Sequence, residues 1–248
     1  MAAATLLTLL VSPAAATSSW ILVGTKHNVR AYLITPDDAG PHPGALILHT
    51  GGGLRPADLE YAQRLVKQGF VCLVPAFTAP YGIPPNRSED AFTVYASQIY
   101  ADLVDALDVL RKHEQVGDGK LAAIGFSLGG YFAVWLAGTH KVEAAVTYYG
   151  ALNANNVDVP MVRFRSVFNS SSAPVLILHG TADAEVPVQT ARHLAFVIRT
   201  ARAPYVIRLY EGAGHLFDRS PISAADRAAG EDSWEQTLRF LGQYLKQR

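Results

Sequence analysis

The chain has 248 residues, of which 50% are hydrophobic and 17% are charged, a composition typical of a packed globular protein. Its 21 basic and 21 acidic residues are interspersed, so neither a basic tract for nucleic acid nor an acidic tail is present. Cys72 is the only cysteine, and the eight histidines form no H-E-x-x-H or comparable pattern. We therefore expect no disulfide within the chain, no metal site and no cofactor.

The N-terminal segment resembles an export signal only in part. Residues 6–11 form a short apolar run and residues 14–16 resemble a signal-peptidase site, but no Lys or Arg precedes Lys26. Residues 1–18 are therefore either a cleaved signal of a periplasmic or secreted protein, or a disordered N-terminus of a cytoplasmic one. No stretch is long enough to span a membrane, and residues 19–248 are expected to form one domain.

The first half of the chain alternates between predicted strands and helices. Short apolar runs predict strands at 20–23, 29–34, 45–48 and 70–74. Apolar residues at helical spacing predict helices over 58–68 and from 88 to about 110. A loop rich in Pro and Gly, residues 78–87, separates the two helices.

The second half continues this alternation. Strands are predicted at 121–126, 142–148, 175–178 and 205–210. Helices are predicted at 131–137, where the run is amphipathic, at 187–200, and from the capping-box pattern of Ser233 and Gln236 onward. Residues 151–173 are expected to be irregular. The alternation indicates a mostly parallel sheet with helices on both faces, which binds ligands beyond the carboxyl ends of its strands.

One motif stands out, G-F-S-L-G at residues 125–129. It follows a predicted strand and precedes a helix, the context of the nucleophile elbow in the α/β-hydrolase fold. There a serine lies on a strained turn, and the glycines allow strand and helix to approach closely. The alternative is a glycine-rich turn with a spectator serine, as in a phosphate-binding fold, but the lysine is missing and the glycine spacing is wrong. The motif therefore predicts Ser127 as a nucleophile.

An elbow of this kind requires an acid and then a histidine later in the chain. Asp183 follows the strand at 175–178, and Glu185 is its nearest rival. His215 is the only histidine that comes after Asp183 and just past a strand. We therefore predict a triad in which Ser127 attacks, His215 takes its proton and Asp183 orients the histidine.

The chemistry also requires N–H donors for an oxyanion. The Leu128 N–H, at the start of the helix after the elbow, is one candidate. The H-T-G-G-G run at 49–53 follows the third strand, where lipases and esterases supply a second donor from an HGGG-type loop. The N–H of Thr50 or Gly51 is therefore the predicted second donor, unless the glycines serve only to reverse the chain.

These motifs together resemble the dienelactone hydrolase family. The resemblance rests on G-F-S-L-G-G, Y-Y-G, G-T-A-D with V-P, and Y-E-G-A-G-H-L-F, and it extends from about residue 20 to residue 247. It implies an α/β-hydrolase fold without a large cap domain. The chain departs from the family's type members in two ways. They carry a cysteine where this chain has Ser127, and they carry a glutamate after the third strand, where this chain has His49 and Thr50.

The resemblance also suggests substrate contacts. The arginine that contacts the substrate carboxylate in the family falls on Arg219, four residues after His215, and would favour an anionic ester or lactone; the alternative is a surface arginine. Tyr81, Phe126 and Tyr131 are candidate pocket walls, although aromatic residues at these places can equally be packing.

The sequence thus predicts a serine hydrolase of carboxylic esters or lactones that forms an acyl-enzyme on Ser127. The two departures favour a general esterase, and a dienelactone hydrolase is the alternative. A peptidase or acyltransferase on the same triad, or a non-catalytic binding module on a hydrolase scaffold, are further readings. We expect a small-molecule substrate, no nucleic acid, and a monomer or weak homodimer.

Overall fold

The computed structural model describes residues 16–24, 26–84, 87–150 and 159–245. The strands in these ranges are β1 (Thr17–Val23), β2 (Val29–Thr35), β3 (His42–Leu48), β4 (Val71–Pro75), β5 (Val116–Phe126), β6 (Ala144–Tyr148), β7 (Val175–Gly180) and β8 (Tyr205–Tyr210). The α-helices are α1 (Pro56–Val66), α2 (Asp90–Thr93), α3 (Ala96–Arg111), α4 (Leu128–Gly138), α5 (Val159–Val167), α6 (Gln189–Thr200) and α7 (Ala224–Leu245). A short 3₁₀ helix covers Ala79–Tyr81.

The strands form one sheet in the order β1-β2-β4-β3-β5-β6-β7-β8. β2 is antiparallel to both of its neighbours, and all other neighbouring strands are parallel. The carboxyl ends of β3, β5, β6, β7 and β8 therefore meet at one edge, where such sheets bind ligands. This topology confirms the predicted α/β-hydrolase fold, and the described residues contain no large cap domain.

Helices cover both faces of the sheet. α1 and α7 pack on a cluster that includes Ile47 and Ile124, while α2 to α6 pack on a second cluster that includes Leu46 and Ala123. Neighbouring residues such as Leu46 and Ile47 belong to opposite clusters because side chains alternate between the faces of a strand. The central strands are buried on both sides, which explains their continuous apolar sequences.

Several helices differ from the sequence predictions. All residues of α4 are buried, so this helix is not amphipathic; α5 covers it, and the Arg163 guanidinium lies 4.0 Å over the Trp135 ring. α5 lies in the region predicted to be irregular, and it is anchored by buried Met161 and Phe164. The helix predicted from residue 88 is interrupted at residues 94–95, which separates α2 from α3.

The closing helix begins nine residues before the predicted capping box. The Asp226 N–H donates to Ser223 Oγ and the Ser223 N–H donates to Asp226 Oδ2, both at 2.9 Å, so this reciprocal pair caps the start of α7. Ser233 lies inside α7, where its hydroxyl donates to the Gly230 carbonyl at 3.0 Å. Ser233 therefore does not cap a helix, because the chain is already helical at that position.

The first strand starts at Thr17, ahead of the predicted domain boundary at residue 19. Thr17 and Ser18 belong to β1 and pair with Thr35 and Ile34, so folded structure begins before residue 19, and residues 1–15 lie outside the described part. None of the described helices is long and apolar enough to cross a membrane. The described His, Cys, Asp and Glu side chains form no group of three that could hold a metal ion.

The elbow is packed so closely that its glycines have no room for a side chain. A Cβ atom on Gly125 would lie 2.1 Å from the Gly129 carbonyl oxygen, and one on Gly129 would lie 2.2 Å from the Leu48 carbonyl oxygen. A Cβ atom on Gly130 would lie 2.4 Å from Thr147 Oγ1. α4 therefore starts in direct backbone contact with β3 and β5.

We predict that Gly129→Ala lowers the free energy of unfolding by about 3 kcal/mol, because the new methyl group meets fixed backbone. Urea unfolding at pH 7 measures the change. Gly52→Ala is the matched control, since its Cβ would have its nearest neighbour, Thr50 Oγ1, at an ordinary 3.5 Å. Equal stability of the two variants would contradict the packing described for the elbow.

Candidate active site

Ser127 lies between β5 and α4 with a strained backbone, φ 49° and ψ −113°. Such a conformation is rarely adopted by a residue with a side chain and is typical of a nucleophile elbow. Its N–H donates to the Tyr148 carbonyl at 3.0 Å, which ties the elbow to β6. Leu128 begins α4, so its N–H has no acceptor within the helix.

The structure brings together the serine, histidine and aspartate that the sequence singles out. His215 Nε2 lies 3.2 Å from Ser127 Oγ, and His215 Nδ1 lies 2.7 Å from Asp183 Oδ2. Ser127 and His215 are 88 residues apart in sequence, and they meet because β5, β7 and β8 end at the same edge of the sheet. Glu185, the rival acid, has a side chain that is 70% exposed and lies 3.7 Å from His215 Nε2, not at Nδ1.

The Asp183 carboxylate is fully buried and well supplied with donors. Its Oδ1 atom accepts the N–H groups of Glu185 at 3.0 Å and Val186 at 2.8 Å, and His179 Nε2 lies 3.4 Å from Oδ2. Burial alone would raise the pKa of Asp183, but the neighbouring His179 ring and the hydrogen bonds from His215 and Val186 outweigh it and hold the pKa well below its usual range. The carboxylate is therefore charged at neutral pH.

Two side chains that sequence reasoning did not assign to the site hold the histidine loop. Asp226 Oδ1 accepts the Gly214 N–H at 2.8 Å, which fixes the residue before His215. The Tyr149 ring packs edge-on against the His215 ring with 4.6 Å between ring centres. The S-x-x-D pattern at 223–226 was a usable signal for Asp226, whereas Tyr149 belonged to the Y-Y-G motif, which gave it no role.

The H-T-G-G-G run lies against the start of α4. The Gly129 N–H donates to the His49 carbonyl at 3.1 Å, and because C=O and N–H of a trans peptide point in opposite directions, the Thr50 N–H points away from Gly129. The Thr50 carbonyl lies 2.6 Å from His49 Nδ1 and points toward the His49 ring. By the same peptide geometry, the Gly51 N–H points away from that ring. Gly51 is also beside Leu128, with its Cβ position 4.0 Å from Leu128 Cβ. Of the two predicted loop donors, the geometry favours Gly51.

His49 fixes this loop as a neutral ring. It is fully buried and stacks on Phe77 with 4.0 Å between ring centres. Burial lowers the pKa of His49 to about 4. The ring is therefore uncharged at neutral pH, and its Nδ1–H donates to the Thr50 carbonyl.

Of the three aromatic candidates for pocket walls, two are buried in the core and one is partly exposed. Phe126 and Tyr131 are fully buried, because Phe126 packs under α1 and α7 and Tyr131 packs under α2 and α5. Both belong to the core, so the packing alternative holds for them. Tyr81 is partly exposed, and its hydroxyl donates to Asp102 at 2.5 Å and lies 3.0 Å from His27 Nδ1.

Arg219 is nearly buried rather than on the surface. Its side chain is 9% exposed, and NH1 donates to Asp58 Oδ1 at 2.6 Å. Nε lies 3.4 Å from Asp218 Oδ2, and the guanidinium carbon lies 3.5 Å from the centre of the Phe126 ring. The guanidinium therefore already has carboxylate partners within the protein.

The fold and the hydrogen-bonded serine, histidine and aspartate define an α/β hydrolase. The chain is 26% identical over 218 residues to the carboxymethylenebutenolidase of Rhodococcus opacus, with 86% of each chain covered. It is 25% identical over 234 residues to a Bradyrhizobium protein described as a probable 2-oxo-3-(5-oxofuran-2-ylidene)propanoate lactonase, with 91% of this chain and 94% of the relative covered. A solved structure assigned as a dienelactone hydrolase from Klebsiella pneumoniae superposes with a TM-score of 0.76 at 27% identity, covering 93% of this chain and 100% of that chain.

The sequence model of the dienelactone hydrolase family matches residues 29–245. The chain therefore belongs to the dienelactone hydrolase family, which confirms the resemblance drawn from the motifs. It is accordingly a carboxylic ester hydrolase, a class that includes hydrolases of lactones.

We predict that the stabilising effect of the Asp183 carboxylate depends on pH. Because its pKa is lower in the folded than in the unfolded chain, the effect is fully present above the unfolded pKa of about 3.9 and is lost as the pH falls toward the folded pKa. The difference in unfolding free energy between the wild type and Asp183→Asn should thus be largest at pH 7 and shrink below about pH 4.

Urea unfolding of both proteins between pH 7 and pH 3 measures this difference. Glu185→Gln, which removes an exposed carboxylate two residues away, is the matched control for the loss of one charge. A difference that stays constant from pH 7 to pH 3 would contradict the account of Asp183.

Proposed function

We propose that this protein hydrolyses carboxylic esters and lactones through an acyl-enzyme on Ser127. One observation carries the proposal, the continuous line of hydrogen bonds from the Ser127 hydroxyl through the His215 ring to the Asp183 carboxylate. Serine is a weak nucleophile at neutral pH and needs a base within hydrogen-bond reach. His215 Nε2, at 3.2 Å, fits that role.

In the first half of the reaction, Ser127 Oγ attacks the carbonyl carbon while its proton moves to His215 Nε2. Asp183 stays ionised, holds Nδ1–H and stabilises the imidazolium cation. The carbonyl oxygen becomes an oxyanion that the N–H groups of Leu128 and Gly51 stabilise. The tetrahedral intermediate collapses, the C–O bond to the alcohol breaks, and His215 gives its proton to the leaving alkoxide.

In the second half, water attacks the ester bond between the acyl group and Ser127. His215 takes a proton from the water, a second oxyanion forms, and Ser127 Oγ leaves with the proton that His215 returns to it. The products are a carboxylic acid and an alcohol. From a lactone they are a single molecule, because the alkoxide that leaves in the first half remains attached to the acyl group.

The named relatives support the inclusion of lactones. Carboxymethylenebutenolidase and 2-oxo-3-(5-oxofuran-2-ylidene)propanoate lactonase are both named for cyclic esters. A small-molecule substrate fits a site whose triad comes from one chain. Because all three triad residues belong to the same chain, the proposed reaction is equally compatible with a monomer and with a weak homodimer.

The absence of an acid after β3 suits the serine nucleophile. The type members of the family place a glutamate there beside a thiol, whereas this chain has His49, which is neutral at pH 7, and Thr50. A serine hydroxyl that is activated by a histidine needs no such thiol partner. This difference favours a broad esterase over an enzyme restricted to dienelactones.

We predict that Asp183→Asn lowers kcat on 4-nitrophenyl butyrate on the order of 10⁴-fold, because the histidine then adopts the wrong tautomer. Ser127→Ala should lower kcat on the order of 10⁶-fold. Steady-state kinetics on this ester and on an unsubstituted butenolide measure both effects.

Glu185→Gln is the matched comparison. Its kcat should fall by less than tenfold, because an exposed charge near the site contributes little. Normal turnover by Asp183→Asn, or a larger loss in Glu185→Gln than in Asp183→Asn, would contradict the assignment of the acid.

A further inference from the structure

We propose that Arg219 is a positioning residue that fixes the loops of the active site against one another, and that it does not bind a substrate carboxylate. This inference rests on the proposed ester and lactone hydrolysis and narrows its substrate class. In this account, selection for an anionic acyl group does not come from Arg219.

Each nitrogen of the Arg219 guanidinium already has a carboxylate partner within the protein. NH1 donates to Asp58 Oδ1 at 2.6 Å, and both Nε and NH2 lie 3.4 Å from Asp218 Oδ2. One face of the guanidinium is covered by the Phe126 ring at 3.5 Å. With 9% of its side chain exposed, Arg219 has little surface left for a ligand.

The charge balance also argues against an anionic ligand. Arg219 supplies one positive charge, whereas Asp58 and Asp218 supply two negative charges, and the three side chains are 9%, 1% and 8% exposed. The group therefore carries a net negative charge where water is largely excluded. A substrate carboxylate would have to displace a buried partner and would then face two carboxylates of its own sign.

The contacts of Arg219 reach the elbow and the start of α1. Phe126, which lies under the guanidinium, is the residue directly before Ser127. Asp58 Oδ2 accepts the Arg55 N–H at 2.8 Å and so caps α1, which follows the H-T-G-G-G run almost at once. Arg219 thus links the nucleophile to the segment that leads out of the oxyanion loop.

The same network reaches the histidine. The Tyr149 hydroxyl donates to Asp218 Oδ1 at 2.5 Å, and the Tyr149 ring packs against His215 at 4.6 Å. The Arg219 N–H donates to the Leu216 carbonyl at 3.1 Å, which closes the turn after His215. The buried ion network therefore contacts the residue before Ser127, the start of α1 and, through Tyr149, the His215 ring, which is the arrangement expected of a positioning residue.

A pair of matched substrates tests this proposal. 4-Nitrophenyl hexanoate and mono-4-nitrophenyl adipate differ only in a terminal methyl group and a terminal carboxylate. Arg219→Met removes the charge and the planar group, and Arg192→Met, an exposed arginine on α6, is the matched control for the loss of one positive charge. Circular dichroism and thermal unfolding report whether each variant is folded.

For Arg219→Met we expect kcat to fall by about 10²-fold for both esters, because the reacting groups are misplaced relative to one another. KM should change by less than threefold for both, and the ratio of kcat/KM for adipate to that for hexanoate should stay within threefold of wild type. A selective rise of KM for the adipate, with kcat retained, would overturn the proposal and make Arg219 a substrate-binding residue.

Asp218→Asn decides the question even if Arg219→Met does not fold. If Arg219 bound the substrate carboxylate but were restrained by its aspartate partners, removal of the Asp218 charge would free the guanidinium. KM for the adipate would then fall at least tenfold. The proposal expects the adipate-to-hexanoate ratio to stay within threefold of wild type. Turnover of the hexanoate by the wild type tests the proposed function separately, because the inference concerns only how the variants change the two esters relative to each other.

Discussion

The left-handed backbone at Ser127 is the constraint on which the rest of the site depends. A residue with a side chain adopts this conformation only where its surroundings enforce it. Here α4 presses on the ends of β3 and β5 at contacts that only glycines allow. The same close approach brings the first N–H of α4 beside the serine, and the Gly129 N–H bonds to the His49 carbonyl of the oxyanion loop. One backbone arrangement thus positions the nucleophile and both candidate oxyanion donors.

Burial acts differently on the polar groups around this backbone. Asp183 stays charged despite burial because two N–H groups and two histidines compensate it, whereas burial of His49 lowers its pKa to about 4 and leaves a neutral donor. Burial likewise raises the pKa of Tyr149 well above its usual value, so its hydroxyl remains a donor to Asp218. At neutral pH the charged residues of the site are therefore paired with each other or with N–H groups. The neutral residues donate hydrogen bonds that hold the loops.

Sequence patterns were sufficient to predict the strands, the elbow and the three residues that meet at the sheet edge. The strands are short apolar runs, and the elbow and the three residues each follow the end of such a run. They were insufficient for contacts between distant segments. Asp58 and Arg219 are 161 residues apart, and nothing in the surrounding sequence of either indicates the other. Phe126 shows the same limit: alternation places its side chain on one face of β5, but only the packing of α1 and α7 decides that this face is closed.

The central claim is that Ser127 is the residue that becomes acylated. The most direct measurement is peptide mapping by mass spectrometry after brief treatment of the folded protein with an alkyl fluorophosphonate, which traps an activated serine covalently. The account predicts one adduct per chain, located on Ser127, and none after unfolding in urea before treatment. No adduct on the folded protein, or an adduct on a different residue, would contradict it.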